Sequence, residues 1–492
     1  MRRLLIKRNL FLFVFILFIS LSVASLLFIG EIDQDFFSFY YIGRGLNQGL
    51  NMYRDFPENK GPIFYIFMAF LYRLFRSNYS IAVFFANGFI DAISIFFLCK
   101  LLEKKQLFRL PTKRLKDFLT LKKLKDFLTL FFLILYYKSF SIGMYLGGFY
   151  SETLAFCFLL ICLYQQENKA DFWSGFFFAL ACLCRPTVVF FFLYILIRYL
   201  FSEKPQKKMV FLASAISAGL VVMTYLFIKG DLYYFFKNQI LLSLIYPRTV
   251  KDKYFSTILY TSILELRIFL SLIFVTFVGG GYLLNQKNKK KEKTIFISLL
   301  ISSLASTFVG GVFYFHHFVQ FTFLVIFCWF ILVKFWSKSP LRNFFSFTIV
   351  IYLVVGCLCY FFSDYKWDLA SRIFLDRYLN GPDSKKYLFV FPHYSKFYFD
   401  YNKEAPDRYF QFFYLSSVYN QAADTDREIH SKADRERIKN TVFLFISRHE
   451  VEQSLKEEYL GYFKEKFGLN KIDSYQKNSL RLEIYYADPP GN

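Results

Sequence analysis

EIDQDFFSFYYIGRGLNQGLNMYRDFPENKGP, residues Glu31–Pro62, is a charged stretch set between two apolar regions. Asp33, Asp35, Arg44, Arg54, Asp55, Glu58 and Lys60 all fall within it. Ionisable groups beside a bilayer are costly, and they mark functional sites by default. A solvated polar loop is the structural alternative. Which reading holds depends on where the rest of the chain puts this stretch.

The surrounding sequence is that of a membrane protein. Of 492 residues, 55% are hydrophobic and 23% aromatic, with 70 Phe and 37 Tyr. Mean hydropathy is +0.34. Apolar runs of about 18 residues or more indicate transmembrane helices. The net charge of +23 would suggest nucleic acid in a soluble chain. Here it is explained by cytoplasmic loops, which favour Lys and Arg, so no nucleic-acid partner is expected. Eight cysteines lie in apolar segments and none in the polar tail. They read as small apolar filler, with no disulfide framework or metal motif.

Before the charged stretch, MRRLLIKR carries four basic side chains and leads into an apolar run from Asn9 to Ile29. That run is longer than a signal-peptide core and reads as a retained helix with its N-terminus inside. Glu31–Pro62 then emerges outside. Gly61-Pro62 opens a short helix with Pro at its first turn, read as lying in the outer interface. Further spans are expected at 81–102, 127–145, 153–164, 172–184, 187–200, 209–228, 263–284, 294–309, 318–333 and 344–362. With the first run this makes about eleven spans. Asp91 is an acid near the middle of one of them.

The inner loops agree with this orientation. The strongest is NQKNKKKEK, at 285–293. Lys113–Leu130 is a near-perfect tandem nine-residue repeat, KRLKDFLTL then KKLKDFLTL. It is Lys-rich and amphipathic, as a cytoplasmic helix on anionic lipid would be. Outside, residues 229–262 form a longer loop rich in Tyr and Phe, like an interfacial aromatic belt.

From Ser363 the composition turns polar. KKYLFVF (385–391), NTVFLFIS (440–447) and LRLEIYY (480–486) read as strands, and Val451–Phe467 as a helix stopped by Gly468. The expected domains are therefore 1–362, an all-α polytopic membrane domain, and 363–492, a small extracytoplasmic α/β domain.

In this topology Asp33, Asp35, Arg54, Lys60, Glu152, Arg185, His316 and His317 all fall at the outer ends of spans. Acids suit proton abstraction from a hydroxyl, and Lys or Arg suits a phosphate leaving group. The set fits attack of a hydroxyl on a phosphate-activated, lipid-borne substrate. Each residue has a structural alternative. Asp33 and Asp35 could be loop solvation, Lys60 could snorkel, Glu152 could cap a helix and Arg185 could anchor at the interface. His316-His317 lacks a third ligand at metal spacing, so substrate contact or packing is favoured and no metal site is assigned.

These residues also carry a resemblance. Asp33-x-Asp35, Tyr40, Gly43, Gly49, Tyr53-Arg54-Asp55 and Lys60-Gly61-Pro62 resemble the first outer loop of bacterial GT-C glycosyltransferases. That superfamily includes the protein O-mannosyltransferases and aminoarabinose transferases, and the spacing looks like its lipopolysaccharide-core sugar transferase branch. Tyr150-Ser151-Glu152, Arg185-Pro186 and Tyr314-Phe315-His316-His317 resemble later landmarks, so the likeness runs in order to about residue 365. It implies the GT-C fold and an inverting transfer from a polyprenyl-phosphate sugar to a glycan, lipid or protein hydroxyl. The site would face the outer leaflet of the cytoplasmic membrane.

By this resemblance the catalytic acid is Asp35 or Asp33. Asp35 is preferred because its distance to Gly49 fits the usual spacing better. Gln34 between the two acids departs from the adjacent acids common in the family. Glu152 would be the second acid, orienting the acceptor or a metal. Lys60, Arg185 and Arg54 would hold the donor phosphate, and Tyr53, His316 and His317 would contact substrate. A divalent cation stays open as the one cofactor. A transporter or flippase of lipid-linked saccharides would use the same cations without a catalytic acid. A glycan polymerase or ligase would favour an outer loop rich in Arg and His, and 229–262 has Arg248 but no His.

Overall fold

The structure is a computed structural model. It describes residues 9–10, 12–18, 20–21, 34–56, 60–104, 149–201, 205–239, 274–283, 290–308, 319, 321, 324–328, 369–380, 385, 387–391, 439–447, 460–461, 464, 468–477 and 480–487. Within them the protein is mostly helical, with one four-stranded sheet. The chain forms two compact units. The first comprises Met1–Phe36, Lys60–Ile228 and Val250–Ser363. The second comprises Phe37–Asn59, Lys229–Thr249 and Asp364–Asn492.

The principal described helices, in chain order, are α1 (Gln34–Asn47), α2 (Pro62–Phe75), α3 (Tyr79–Lys104), α4 (Ser151–Glu167) and α5 (Asp171–Cys184). After a 3-10 turn at Pro186–Phe190 come α6 (Phe191–Leu200), α7 (Pro205–Ile228), α8 (Lys290–Phe308) and α9 (Leu369–Leu379). In the first unit α4 packs between α3 and α5, and α5 also packs on α7 and α2. α8 lies against α6 and the 3-10 turn.

Local sequence sets the helix ends. Pro62 needs no N–H partner at the first position of α2. Arg185 precedes Pro186, and the proline ring forces it out of helical conformation to φ −142°, ψ 107°, which ends α5. Further along, Arg198 of α6 pairs with Glu167 of α4, while the Tyr199 hydroxyl donates to Asp171 Oδ1 of α5 at 2.8 Å. Those two contacts tie three helices together at one end.

Two helices, Tyr79–Lys104 and Lys207–Ile228, are long and apolar enough to cross a membrane. They differ in packing. The apolar window of the first is 61% buried and that of the second 22%, so α7 keeps a broad apolar face, including Ile216, Leu220, Val221 and Phe227, outside the protein interior. The segments expected at 153–164, 172–184 and 187–200 are helical but short. The 14 residues of α5 extend about 21 Å, against about 30 Å for a hydrocarbon core. The expected spans at 127–145 and 344–362, most of those at 263–284 and 318–333, and about half of that at 9–29 lie outside the described residues. So does the tandem repeat.

One local expectation is corrected. The first part of the charged stretch is helix, not loop. α1 buries Phe37, Phe39, Tyr40 and Ile42. The apolar cluster FFSFYYI supplies enough side chains to cover a whole helical turn, and that outweighs the polar flanks.

The sheet of the second unit has strands β1 (Tyr387–Phe391), β2 (Thr441–Ser447), β3 (Leu469–Lys477) and β4 (Leu480–Ala487), in the order β1-β2-β4-β3. β1 and β2 are parallel; β2–β4 and β3–β4 are antiparallel. Alternation places Val442, Leu444 and Ile446 of β2 and Leu482 and Ile484 of β4 on one face, where they pack with Leu388, Leu375 and Leu379. Phe443 and Phe445 on the other face are buried too, which is why β2 reads as an unbroken apolar run. Glu483, also on that face, is 2% exposed and is held by Lys471 Nζ at 2.7 Å and Arg481 Nη2 at 2.9 Å.

The three strands read from sequence are present, and the structure adds β3 and α9. β3 is a polar edge strand with an irregularity between Lys471 and Asp473, so period-two alternation is lost. Residues 460, 461 and 464 of the expected helix at 451–467 are helical, and the others lie outside the described residues. Tyr41 of α1 packs against the same core, so the tail and residues Phe37–Asn59 of the charged stretch share one unit.

Candidate active site

Five of the expected site residues fall in two clusters, Lys60, Glu152 and Arg185 in the first unit and Tyr53 and Arg54 in the second. In the first unit the cluster starts at Gly61. Its N–H donates to the carbonyl of Cys184 at 3.1 Å. A Cβ on Gly61 would lie 1.9 Å from the Leu183 carbonyl oxygen, so only glycine lets the two backbones meet. Lys60 immediately precedes this contact on one side, and Arg185 immediately follows it on the other. Phe64, in the first turn of α2, stacks on Phe149 at 6.2 Å, which brings the start of α2 to the start of α4.

Arg185 then reaches the first turn of α4. Its Nε lies 3.1 Å from Oε1 of Glu152. The Glu152 side chain is fully buried and that of Arg185 is 13% exposed. The Nε–H does not point along a hydrogen-bond line to Oε1, so this contact is coulombic. On the other carboxylate oxygen the Ser151 hydroxyl donates to Oε2 at 2.9 Å. An acid at a helix N-terminus is favoured by the helix dipole. Burial adds a desolvation cost, and the guanidinium offsets it. The pieces Lys60-Gly61-Pro62, Ser151-Glu152 and Arg185-Pro186 are distant in sequence and joined here by one backbone bond and one ion pair.

The second cluster is the Asn51–Phe56 turn. Gly49 starts it at φ +90°, a conformation that side chains rarely adopt. Tyr53 is 1% exposed and sits edge-on to Phe235 with ring centroids 5.1 Å apart. Its carbonyl accepts a bond from Asn238 Nδ2 at 3.3 Å. Arg54 keeps its side chain 45% exposed, with Nε 3.5 Å from Oδ1 of Asp55. The amides of Met52, Tyr53 and Arg54 donate to the carboxylate of Asp231, at 2.8, 3.3 and 3.0 Å.

Asp231 and Asn238 carry no role in the sequence reading, although a signal was there. Asp231 follows Gly230, whose φ of +69° closes α7, and it stands at the start of a helix spanning 232–239. An acid directly after a glycine, at the head of the aromatic run LYYFF, was the available cue.

Asp35 lies in the first turn of α1, with only its backbone described. Asp33, His316 and His317 lie outside the described residues. Among the described residues no three His, Cys, Asp or Glu side chains group as a metal site. Chemically, the first cluster offers two cations flanking a backbone junction, one of them backed by a buried acid. A guanidinium fork matches phosphate geometry, and an ammonium serves as a point charge. Compared with protein-family models, curated proteins and solved structures, the chain matches none.

Proposed function

We propose that this chain is a membrane glycosyltransferase of the GT-C type. It would lie in a bacterial cytoplasmic membrane with about eleven spans, its N-terminus inside and its site and C-terminal domain outside. It transfers a sugar from a polyprenyl phosphate to a hydroxyl of a glycan, lipid or protein. The observation that carries this reading is the Gly61–Cys184 junction, which sets Lys60 and Arg185 on either side of one backbone contact, with Glu152 behind Arg185. Two cationic residues that flank one backbone contact suit a lipid phosphate. The apolar face of α7 and the long α3 suit a lipid environment.

In this mechanism Asp35, or Asp33, takes the proton from the acceptor hydroxyl. The hydroxyl oxygen forms a bond to the anomeric carbon as the bond from that carbon to the phosphate oxygen breaks. The configuration inverts. Polyprenyl phosphate leaves with the developing negative charge held by Lys60 and Arg185, which raises the rate by stabilising charge that grows in the transition state. Arg54 is proposed as a further donor-phosphate contact on the strength of the resemblance alone.

The test is replacement of Asp33 and Asp35 by Asn, singly and together, with transfer assayed in membranes supplied with polyprenyl-phosphate sugars. Loss of transfer with retained donor binding is expected for the double variant. Full transfer by that variant would remove the mechanism. The lipid-linked sugar that copurifies with Asp35→Asn names the donor.

A further inference from the structure

We infer that Asp231 is a positioning residue for Arg54, acting by holding the backbone of the turn that carries it. The inference rests on the glycosyltransferase reading for the role of Arg54, and on geometry for the clamp. Asp231 is 2% exposed, so its carboxylate needs internal partners. It finds three, the consecutive amides of Met52, Tyr53 and Arg54. The amide just before them, on Asn51, donates to Asp55 Oδ2 at 2.6 Å.

Successive N–H groups aimed to one side form a nest, a concavity that binds anions. Here the anion is a side chain of the same protein. An Asp at a helix start ordinarily caps its own helix. The main-chain carbonyl of Asp231 does start its helix, accepting the Phe235 N–H at 2.8 Å. Its carboxylate, however, serves the distant turn. Phe235 lies against the Tyr53 ring and Asn238 donates to the Tyr53 carbonyl. Positions 231, 235 and 238 fall on one helix face, so that face is committed to the turn. The result fixes the backbone of Arg54 while its guanidinium stays partly exposed.

The experiment uses the full chain in lipid nanodiscs, with Asp231→Ala, the volume-preserving Asp231→Asn, and Arg54→Ala. Hydrogen exchange is followed on peptides covering 51–56, and undecaprenyl phosphate is the binding probe. In Asp231→Ala, exchange at 52–54 is expected to quicken about tenfold or more, and probe binding to weaken about tenfold. Asp231→Asn, which keeps one acceptor oxygen, falls between it and wild type. Arg54→Ala weakens binding similarly but leaves exchange at 52–54 unchanged, which a general loss of folding would not do.

Unchanged exchange in both Asp231 variants overturns the clamp. Quickened exchange with undiminished binding, while Arg54→Ala still weakens it, overturns the positioning role and leaves the glycosyltransferase reading standing. If wild type does not bind the probe, or Arg54→Ala binds it fully, the role given to Arg54 falls and the positioning role falls with it. The exchange data then still decide whether the clamp exists.

Discussion

Removing Arg185 should cost more than removing both members of its pair. Glu152 is fully buried, with Arg185 Nε 3.1 Å away and the Ser151 hydroxyl on its other oxygen. Arg185→Met leaves a buried carboxylate without that cation, a change that typically costs about 3–5 kcal/mol. Glu152→Gln leaves a guanidinium that is 13% exposed and keeps an acceptor for Ser151. Its cost should be nearer 1–2 kcal/mol, that of a weakened buried hydrogen bond. The double variant Glu152→Gln/Arg185→Met has no stranded charge and should be more stable than Arg185→Met alone.

An unfolding entropy of about 2.1 cal/mol/K per residue gives roughly 1 kcal/mol/K for a chain this long, so 1 kcal/mol shifts Tm by about 1 °C. Thermal unfolding in detergent at one fixed scan rate should therefore drop by about 3–5 °C for Arg185→Met and about 1–2 °C for Glu152→Gln. The double variant should sit between them. A double-variant shift equal to the sum of the single shifts would mean that the two side chains do not interact, and the buried pair would be refuted.

Gly61→Ala should be worse than a typical surface change, because its Cβ would overlap backbone 1.9 Å away, and backbone cannot swing aside. We expect a Tm loss of several degrees, roughly 2–4 kcal/mol, together with loss of polyprenyl-phosphate binding; wild-type stability would refute the close approach. In the tail, the Tyr378 hydroxyl donates to Asp473 Oδ2 and, with Ser474 N–H and nearby cations, holds the Asp473 carboxyl below its ordinary value. A depressed carboxyl pKa adds stability that is present above about pH 4 and is lost as pH falls through the folded value. Tyr378→Phe should lower Tm modestly at neutral pH and leave it little changed well below about pH 4, which flattens the acid limb of a Tm–pH profile; an unaltered limb would count against the bond. Truncation after Ser363 removes the core on which Tyr41 packs. Peptides from Phe37–Asn59 should then exchange hydrogen faster, and unchanged exchange would separate α1 from the tail.

Several elements were legible because their signals are local. Lys60-Gly61-Pro62 announces a helix start through the fixed φ of proline, and Arg185-Pro186 announces a stop through the clash that proline imposes on the residue before it. Apolar runs mark α3 and α7, and an unbroken run marks β2. β3 was hidden because an edge strand with one wet face and an irregular register has no clean alternation. α1 was hidden because its charged flanks dominate a reading by composition.

The candidate site residues divide along the same line. The sequence alone singled out Lys60, Glu152 and Arg185, since charges are rare beside apolar runs and their cost makes them conspicuous. It could not say that Gly61 lies on Cys184, that Arg185 pairs with Glu152, or that Asp231 holds the amides of Met52–Arg54. Composition and periodicity report on neighbours along the chain. A backbone contact between α2 and α5, or a carboxylate serving a turn far upstream, depends on which helices pack together. Tertiary structure decides that by bringing distant groups within the few ångströms over which hydrogen bonds and ion pairs act.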